Sequence, residues 1–270
     1  MRSKTPATNA IEKTLIILSS FAPDNREWGT VELSQKLGFH KATVSRILLT
    51  LSRHGFLSQN PKTRKFTLGA EVMRLSSALR QSLKNNIVQA AKPFVDELRN
   101  RIKETVILEL LSRNGSFMAY IAEGPRMVRL AGSIGDPVPI HAAAGGKAIL
   151  AFLSPERMES LLPGRLERFT RNTITRRSEL EKELRRVREN GVAYDREELD
   201  EGTGAVSCPI FDHGGRAVAS IVVAGPYQRI QEICEEQIIP ALKEAAAGVS
   251  SSLLNGGRTK GSEVLQETPS

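Results

Sequence analysis

Cysteine is nearly absent: Cys208 and Cys234 are the only two in 270 residues. Neither has a second ligand nearby at metal spacing, which argues against a disulfide framework and a structural metal. The N-terminus lacks the apolar run of a signal peptide, and no stretch reaches the ~18 apolar residues that a membrane span needs. The expectation is a cytoplasmic chain with reduced thiols, no metal, no cofactor and no membrane partner. Acid is also scarce in one region. Formal net charge is +8, and from Met1 to Lys84 fourteen Lys and Arg residues stand against five Asp and Glu, so the remainder is close to neutral. A basic head on a neutral body fits a polyanion for the head and another task for the body.

What the head does have is a pair of amphipathic helices in 30–57. Val31, Leu33 and Leu37 are spaced to bury one side of a short helix, and Val44, Ile47, Leu48 and Leu51 do the same for a second. Between them Gly38 tolerates positive φ, and Phe39 is apolar enough to tuck beneath the pair. The second helix leaves Lys41, Thr43, Ser45 and Arg46 off its buried stripe, the pattern of a helix-turn-helix offering hydroxyls and cations to a major groove. Gly55 suits the end of that helix. Phe56, Leu57, Phe66 and Leu68 then alternate across the turn signal 60–63, which predicts a two-stranded wing carrying Lys62, Arg64 and Lys65 toward phosphates.

In chain order, 1–9 reads as a polar lead-in and 10–21 as a helix burying Ile11, Leu15 and Leu18, with Ile16 and Ile17 beside them. Thr30 is placed to cap the next helix, and the single tryptophan, Trp28, is a core or rim residue. The DNA-binding domain spans 10–69. A connector helix, 70–84, has an apolar line through Val72, Leu75 and Leu79 but too little surface for its own core, which suits packing on a partner subunit or the next domain.

A second domain spans 85–254. Helix 87–98 precedes strands 105–111 and 116–122, with 127–131 continuing the sheet. Gly145 and Gly146 open a short helix, and Ser154-Pro155 starts another. Ser178 heads a capping box for a charged helix ending at Gly191. Strands 205–211 and 217–223 and a helix over 230–249 close the domain, and 255–270 reads as a disordered tail. The fold class is α+β, on one central antiparallel sheet.

The glycine pair leaves two readings open: backbone N–H groups bare enough to hold an anion, or close packing of helix on sheet. Catalysis has weaker support. His141, Cys208, Asp195 and Asp212 could be assembled into a Cys-His-acid site, but Cys208 lies in an alternating strand without a cationic neighbour. A nucleoid protein that coats DNA by charge alone would need no large neutral second domain.

The chain resembles the IclR family of bacterial transcription regulators over residues 10–250. The resemblance rests on LSQKLGFHKATVSRILLTLSRHGFL and NPKTRKFTLG in the head, then on PIHAAAGGKAILAFL at 139–153, GVAYDREE at 191–198 and CPIFDHGGRAVASIVVAGPYQRI at 208–230. It implies a winged helix-turn-helix, a linker helix and a GAF-like effector domain, working as a homodimer or homotetramer on a double-stranded DNA operator. Family members often have proline at the place of His40 and serine at Ala42, so the start of the recognition helix departs from the pattern. Matching motifs place the effector pocket at Met127, Leu130, Ala144, Gly145, Gly146, Asp195, Thr203, Ala205, Val222 and Ala224. Glyoxylate- and pyruvate-responsive members have serine and cysteine where this chain has Val222, Ala224 and Ala205. The expected effector is therefore a hydroxylated or aromatic organic acid, its carboxylate on the Gly145 and Gly146 N–H groups and its hydroxyl on Asp195.

Overall fold

The structure is a computed structural model that describes residues 9–22, 25–84 and 87–256. The expected lead-in before Asn9 and the expected disordered tail past residue 256 lie outside the described residues, while 255 and 256 belong to the last helix. The chain divides into two compact units, Met1–Ser82 and Leu83–Ser270.

In the first unit, helices α1 (Ala10–Ser19), α2 (Thr30–Leu37) and α3 (Lys41–Arg53) are followed by strands β1 (Leu57–Gln59) and β2 (Phe66–Leu68) and helix α4 (Ala70–Lys84). Asn9 caps α1: its side chain accepts from the Glu12 N–H and the Glu12 carboxylate accepts from the Asn9 N–H, each at 2.9 Å. Gly38 closes α2 at φ 67, a left-handed conformation that glycine adopts without the Cβ penalty. Val44, Ile47, Leu48 and Leu51 of α3 are all buried, as their spacing predicts. They meet Ile17, Phe21, Trp28, Leu33, Leu57 and Phe66 in one core.

Three expectations change here, the first on α2, where only Leu33 of the expected stripe is buried, Leu37 is half-buried and Val31 is 47% exposed. The inward side of α1 carries Ile17, with Phe21 just beyond the helix, while Ile11 and Leu15 are 73% and 58% exposed and Ile16 also faces out. Apolar residues occupy more than one side of α1, so spacing alone does not fix which side meets the core. Thr30 does not cap α2; Gly29 is the cap residue, and the Glu32 carboxylate accepts from its N–H at 2.8 Å.

The second unit is a six-stranded antiparallel sheet in the order β5-β4-β3-β8-β7-β6. Its strands are β3 (Thr105–Ser112), β4 (Gly115–Ala122), β5 (Pro137–Val138), β6 (Ala193–Arg196), β7 (Thr203–Phe211) and β8 (Ala217–Pro226). One face is covered by α5 (Ile87–Ile102) and α10 (Ile239–Gly256), burying Val95, Leu98, Val106, Leu108, Ile221, Val223, Leu242 and Val249. Over the other face runs the short α6 (Ala144–Leu150), which packs on β6, β7 and β8 and on α8 (Arg177–Asn190). Helix α7 (Pro155–Leu161) starts as predicted, with the Ser154 hydroxyl accepting from Arg157 N–H.

Residues 127–131 are not a strand: Met127 and Val128 are exposed, and the segment is tied in where the Thr105 hydroxyl donates to the Leu130 carbonyl at 3.1 Å. The outer place in the sheet goes to β5. Strand β6, four residues at the opposite edge, was not legible because it is too short to display alternation. Helix α8 begins at Arg177 with no side-chain cap, so Ser178 is already helical. The closing helix is two, α9 (Tyr227–Ile233) and α10, joined by a π-helical turn over Cys234–Ile238.

Candidate functional sites: a basic helix-and-wing face and an acid-lined cavity

The first site follows from the phase of α3. With its apolar stripe inward, Lys41 and Arg46 are exposed and Thr43 and Ser45 half-buried. The wing turn is built by Asn60, whose side chain accepts from the Lys62 and Thr63 N–H groups and donates to Glu27 at 2.9 Å. This leaves Lys62 and Arg64 exposed, Arg64 at φ 58. Lys65 is placed differently from expectation. Its ammonium pairs with the Glu32 carboxylate of α2 at 2.8 Å, and that hydrogen bond holds the Glu32 pKa below its usual value. Lys65 ties the wing to the helix pair, so its charge is already partly spent within the domain.

The second site follows from sheet register. Cross-strand pairing sets Asp195, Ala205, Ala224 and Thr105 in one row, and Ser207, Val222 and Ile107 in the next. Glu109 pairs with Ser220 in a third row. Side chains on one face of a strand recur every second residue, so these groups share the face that α6 partly covers. Between sheet, α6 and the 130–131 segment is a cavity of about 290 Å³. Seven of the ten expected residues line it: Leu130, Ala144, Asp195, Thr203, Ala205, Val222 and Ala224.

Met127, Gly145 and Gly146 do not line it. Met127 is 97% exposed, since 127–131 is a loop whose Leu130 alone of the expected pair turns inward. A Cβ on Gly145 would lie 2.3 Å from Oε2 of Glu109, and one on Gly146 would lie 2.4 Å from the Ile140 carbonyl. The glycines thus permit close packing of α6 on the sheet. The buried Glu109 carboxylate stands where a side chain at Gly145 would begin.

Glu109 is the principal residue that sequence reading missed. It is 3% exposed, lines the cavity, and its Oε2 has no hydrogen-bond partner. Burial pushes its carboxyl up to about 7 and the Asp195 charge adds to the rise; the Ser116 hydroxyl beside it opposes the rise without closing a hydrogen bond. The signal was available as a lone acid inside the otherwise apolar run at 105–111. Asp195 is raised to about 6, chiefly by burial, with the Glu198 N–H and the Lys147 charge opposing. Its Oδ1 accepts from the N–H groups of Glu198 at 2.7 Å and Leu199 at 3.3 Å. Lys147, fully buried, pairs with Glu198 at 2.5 Å.

A second depression of about 260 Å³ lies at the β6 edge, beside Tyr194, Tyr227, Ile230 and Cys234. Among the described residues, none of its lining side chains carries a buried polar atom without a partner, so the Glu109 cavity is the better candidate. Of the residues considered for catalysis Asp195 lines the cavity, whereas Cys208, His141 and Asp212 do not. Burial pushes the Cys208 thiol up to about 12, far from a thiolate at neutral pH, and a His141 ring nitrogen lies 2.9 Å from the Glu167 carbonyl.

Comparison with known proteins agrees with both halves. Residues 10–61 match the IclR helix-turn-helix domain and residues 81–251 match the family described as bacterial transcriptional regulator IclR C-terminal. The HTH-type transcriptional regulator XynR of Escherichia coli K12 is 30% identical over 92% of this chain and 98% of its own length. The HTH-type transcriptional regulator Rv1719 of Mycobacterium tuberculosis is 36% identical over 73% of this chain and 74% of its own. The crystal structure of an IclR transcriptional regulator from Alicyclobacillus acidocaldarius superposes with a TM-score of 0.76, at 28% identity, covering 90% of this chain and 98% of that one. The chain belongs to the IclR family of bacterial transcriptional regulators. It is a DNA-binding regulator of the metabolite-responsive type. Among the described residues no helix is long and apolar enough to cross a membrane.

Proposed function

We propose that this regulator reads its operator through the exposed face of α3, with Arg46 in contact with base edges, Lys41, Thr43 and Ser45 beside it, and Lys62 and Arg64 of the wing on phosphates. The exposure of Arg46 beside a fully buried apolar stripe carries the reading. A guanidinium so presented can hold guanine O6 and N7 in a bidentate pair. The cavity beside Glu109 and Asp195 is the effector site; Cys208, the nucleophile that an enzyme would need, is not in its lining but in the core on the other face of the sheet, where burial pushes its thiol up to about 12. The working form is a homodimer or a larger assembly of dimers, supported by the exposed apolar residues of α1 and α4.

Selection from a random duplex pool, followed by anisotropy titrations on the enriched and scrambled duplexes, tests this. The enriched site is expected to be two-fold symmetric, and R46A to lose about 1–3 kcal/mol on it with little loss on scrambled DNA. Lys62→Ala weakens both duplexes alike and lowers the salt slope by about one. Binding that is salt-dependent but equal on both duplexes favours the charge-coating alternative.

A further inference from the structure

The sixteen residues around the cavity include three acids, Glu109, Asp195 and Asp200, and no Lys, Arg or His. The buried cation nearest in the hydrogen-bond network, Lys147, is spent on Glu198. Two of the acids approach the cavity from separate strands: Glu109 from β3, with Oε2 unpartnered, and Asp195 from β6, with Oδ1 occupied by backbone N–H groups. Between them Ile107, Val222, Ala224 and Ala205 make an apolar floor. A buried carboxylate oxygen without a donor is costly, and the cost is removed by a group that donates to it. A ligand carboxylate would add another negative charge to a space with no cation to meet it, and like charges at such range repel strongly in a low-dielectric interior.

We propose that the effector is a small hydrogen-bond donor without a carboxylate, an amine or a polyol, whose donors meet Glu109 and Asp195 across the apolar floor. This rests on the reading of the cavity as the effector site. The volume, at the low end for ligand pockets, selects a compact molecule. The ammonium and the hydroxyl differ in their dependence on the Glu109 charge. An ammonium needs the ionised acid as a counter-charge, whereas a hydroxyl can still donate to the carbonyl of a glutamine, though more weakly than to a carboxylate.

Calorimetry on the full chain at pH 7.5 with skeleton-matched probes tests it: 1,4-diaminobutane, erythritol and succinate, then benzylamine, benzyl alcohol and benzoate. At least one amine or alcohol is expected to bind ten-fold or more tighter than its matched carboxylate. V222W, or the milder A205L should the first fail to fold, should abolish that binding. E109Q should weaken an amine at least ten-fold and a polyol less than three-fold. If succinate or benzoate binds tightest and V222W or A205L removes it, the donor inference is overturned and the cavity reading stands. If the tightest binder is indifferent to both cavity variants, the cavity reading itself falls. Absence of binding by every amine and alcohol at millimolar concentration also overturns the inference.

Discussion

At the residue scale, a carboxylate held at 3% exposure with one oxygen lacking a donor disfavours its own ionised form, and this makes Glu109 a source of pH dependence. Its pKa is raised from 4.5 to about 7 and that of Asp195 from 3.8 to about 6. The folded protein therefore binds more protons than the unfolded chain between the two values, so stability falls as pH rises through this window and is regained on acidification. For Glu109 the full effect is up to about 3 kcal/mol at ~1.4 kcal/mol per unit. The charged groups around it are Asp195 and Asp200 in the cavity lining, with the Lys147–Glu198 pair behind them. Urea melts from pH 8 to pH 5.5 should show wild-type stability rising as pH falls, and E109Q should be flatter and more stable at pH 8. Equal slopes for the two proteins would refute the assignment. The Lys65 pairing belongs to the same scale: its charge was legible in the sequence, but its partner was not, because Glu32 lies 33 positions away and only the fold brings them together. A residue's charge is local information and its availability is not.

At the element scale, legibility tracked the strength of the periodic signal. Helix α3 has a single apolar stripe on an otherwise polar surface, and its four buried residues were readable directly. Helix α1 has apolar residues on several sides, and its inward side was misread. Strand β6 was invisible at four residues, whereas β7 and β8 declared themselves by length and by the turn between them. The glycine pair of α6 shows a different limit. Two glycines at a helix start are equally compatible with ligand access and with close packing, and the approach of Glu109 and Ile140 decides for packing. A methyl group added at Gly145 must displace the Glu109 carboxylate or the helix. G145A should thus cost about 1–3 kcal/mol in urea unfolding, in the range of overpacked cores. It should also disturb binding in the adjacent cavity. Full wild-type stability in G145A would mean that the carboxylate moves aside freely.

At the scale of the whole molecule, the contrast between a basic helical head and a neutral body was legible in the sequence, whereas the edge strands β5 and β6 and the division of the closing helix were not. The chemical character of the cavity was not, because it depends on which acid of which strand turns inward. Assembly is a property of this scale too. Each chain presents one recognition helix, and a two-fold operator asks for two, spaced by about 34 Å or a multiple of it. The first unit carries the means: Leu15 at 58% and Met73 at 70% exposure, with Ile11, Ile16 and Leu75 also open. Side chains of this size gain by leaving water against a second copy, at about 25 cal/mol per Å² of apolar surface removed. Replacing Leu15 and Met73 together with glutamate puts charge where such contact would exclude water. Both positions face solvent, so the monomer fold should survive. Sedimentation at micromolar concentration should show wild-type dimers or tetramers and a smaller species for the double variant. Operator affinity should drop by about 100-fold or more as bivalent binding is lost, while affinity for an isolated half-site changes little. A wild-type protein that sediments as a monomer with and without DNA, or a double variant that keeps both its size and its operator affinity, would place the subunit contact elsewhere or remove it.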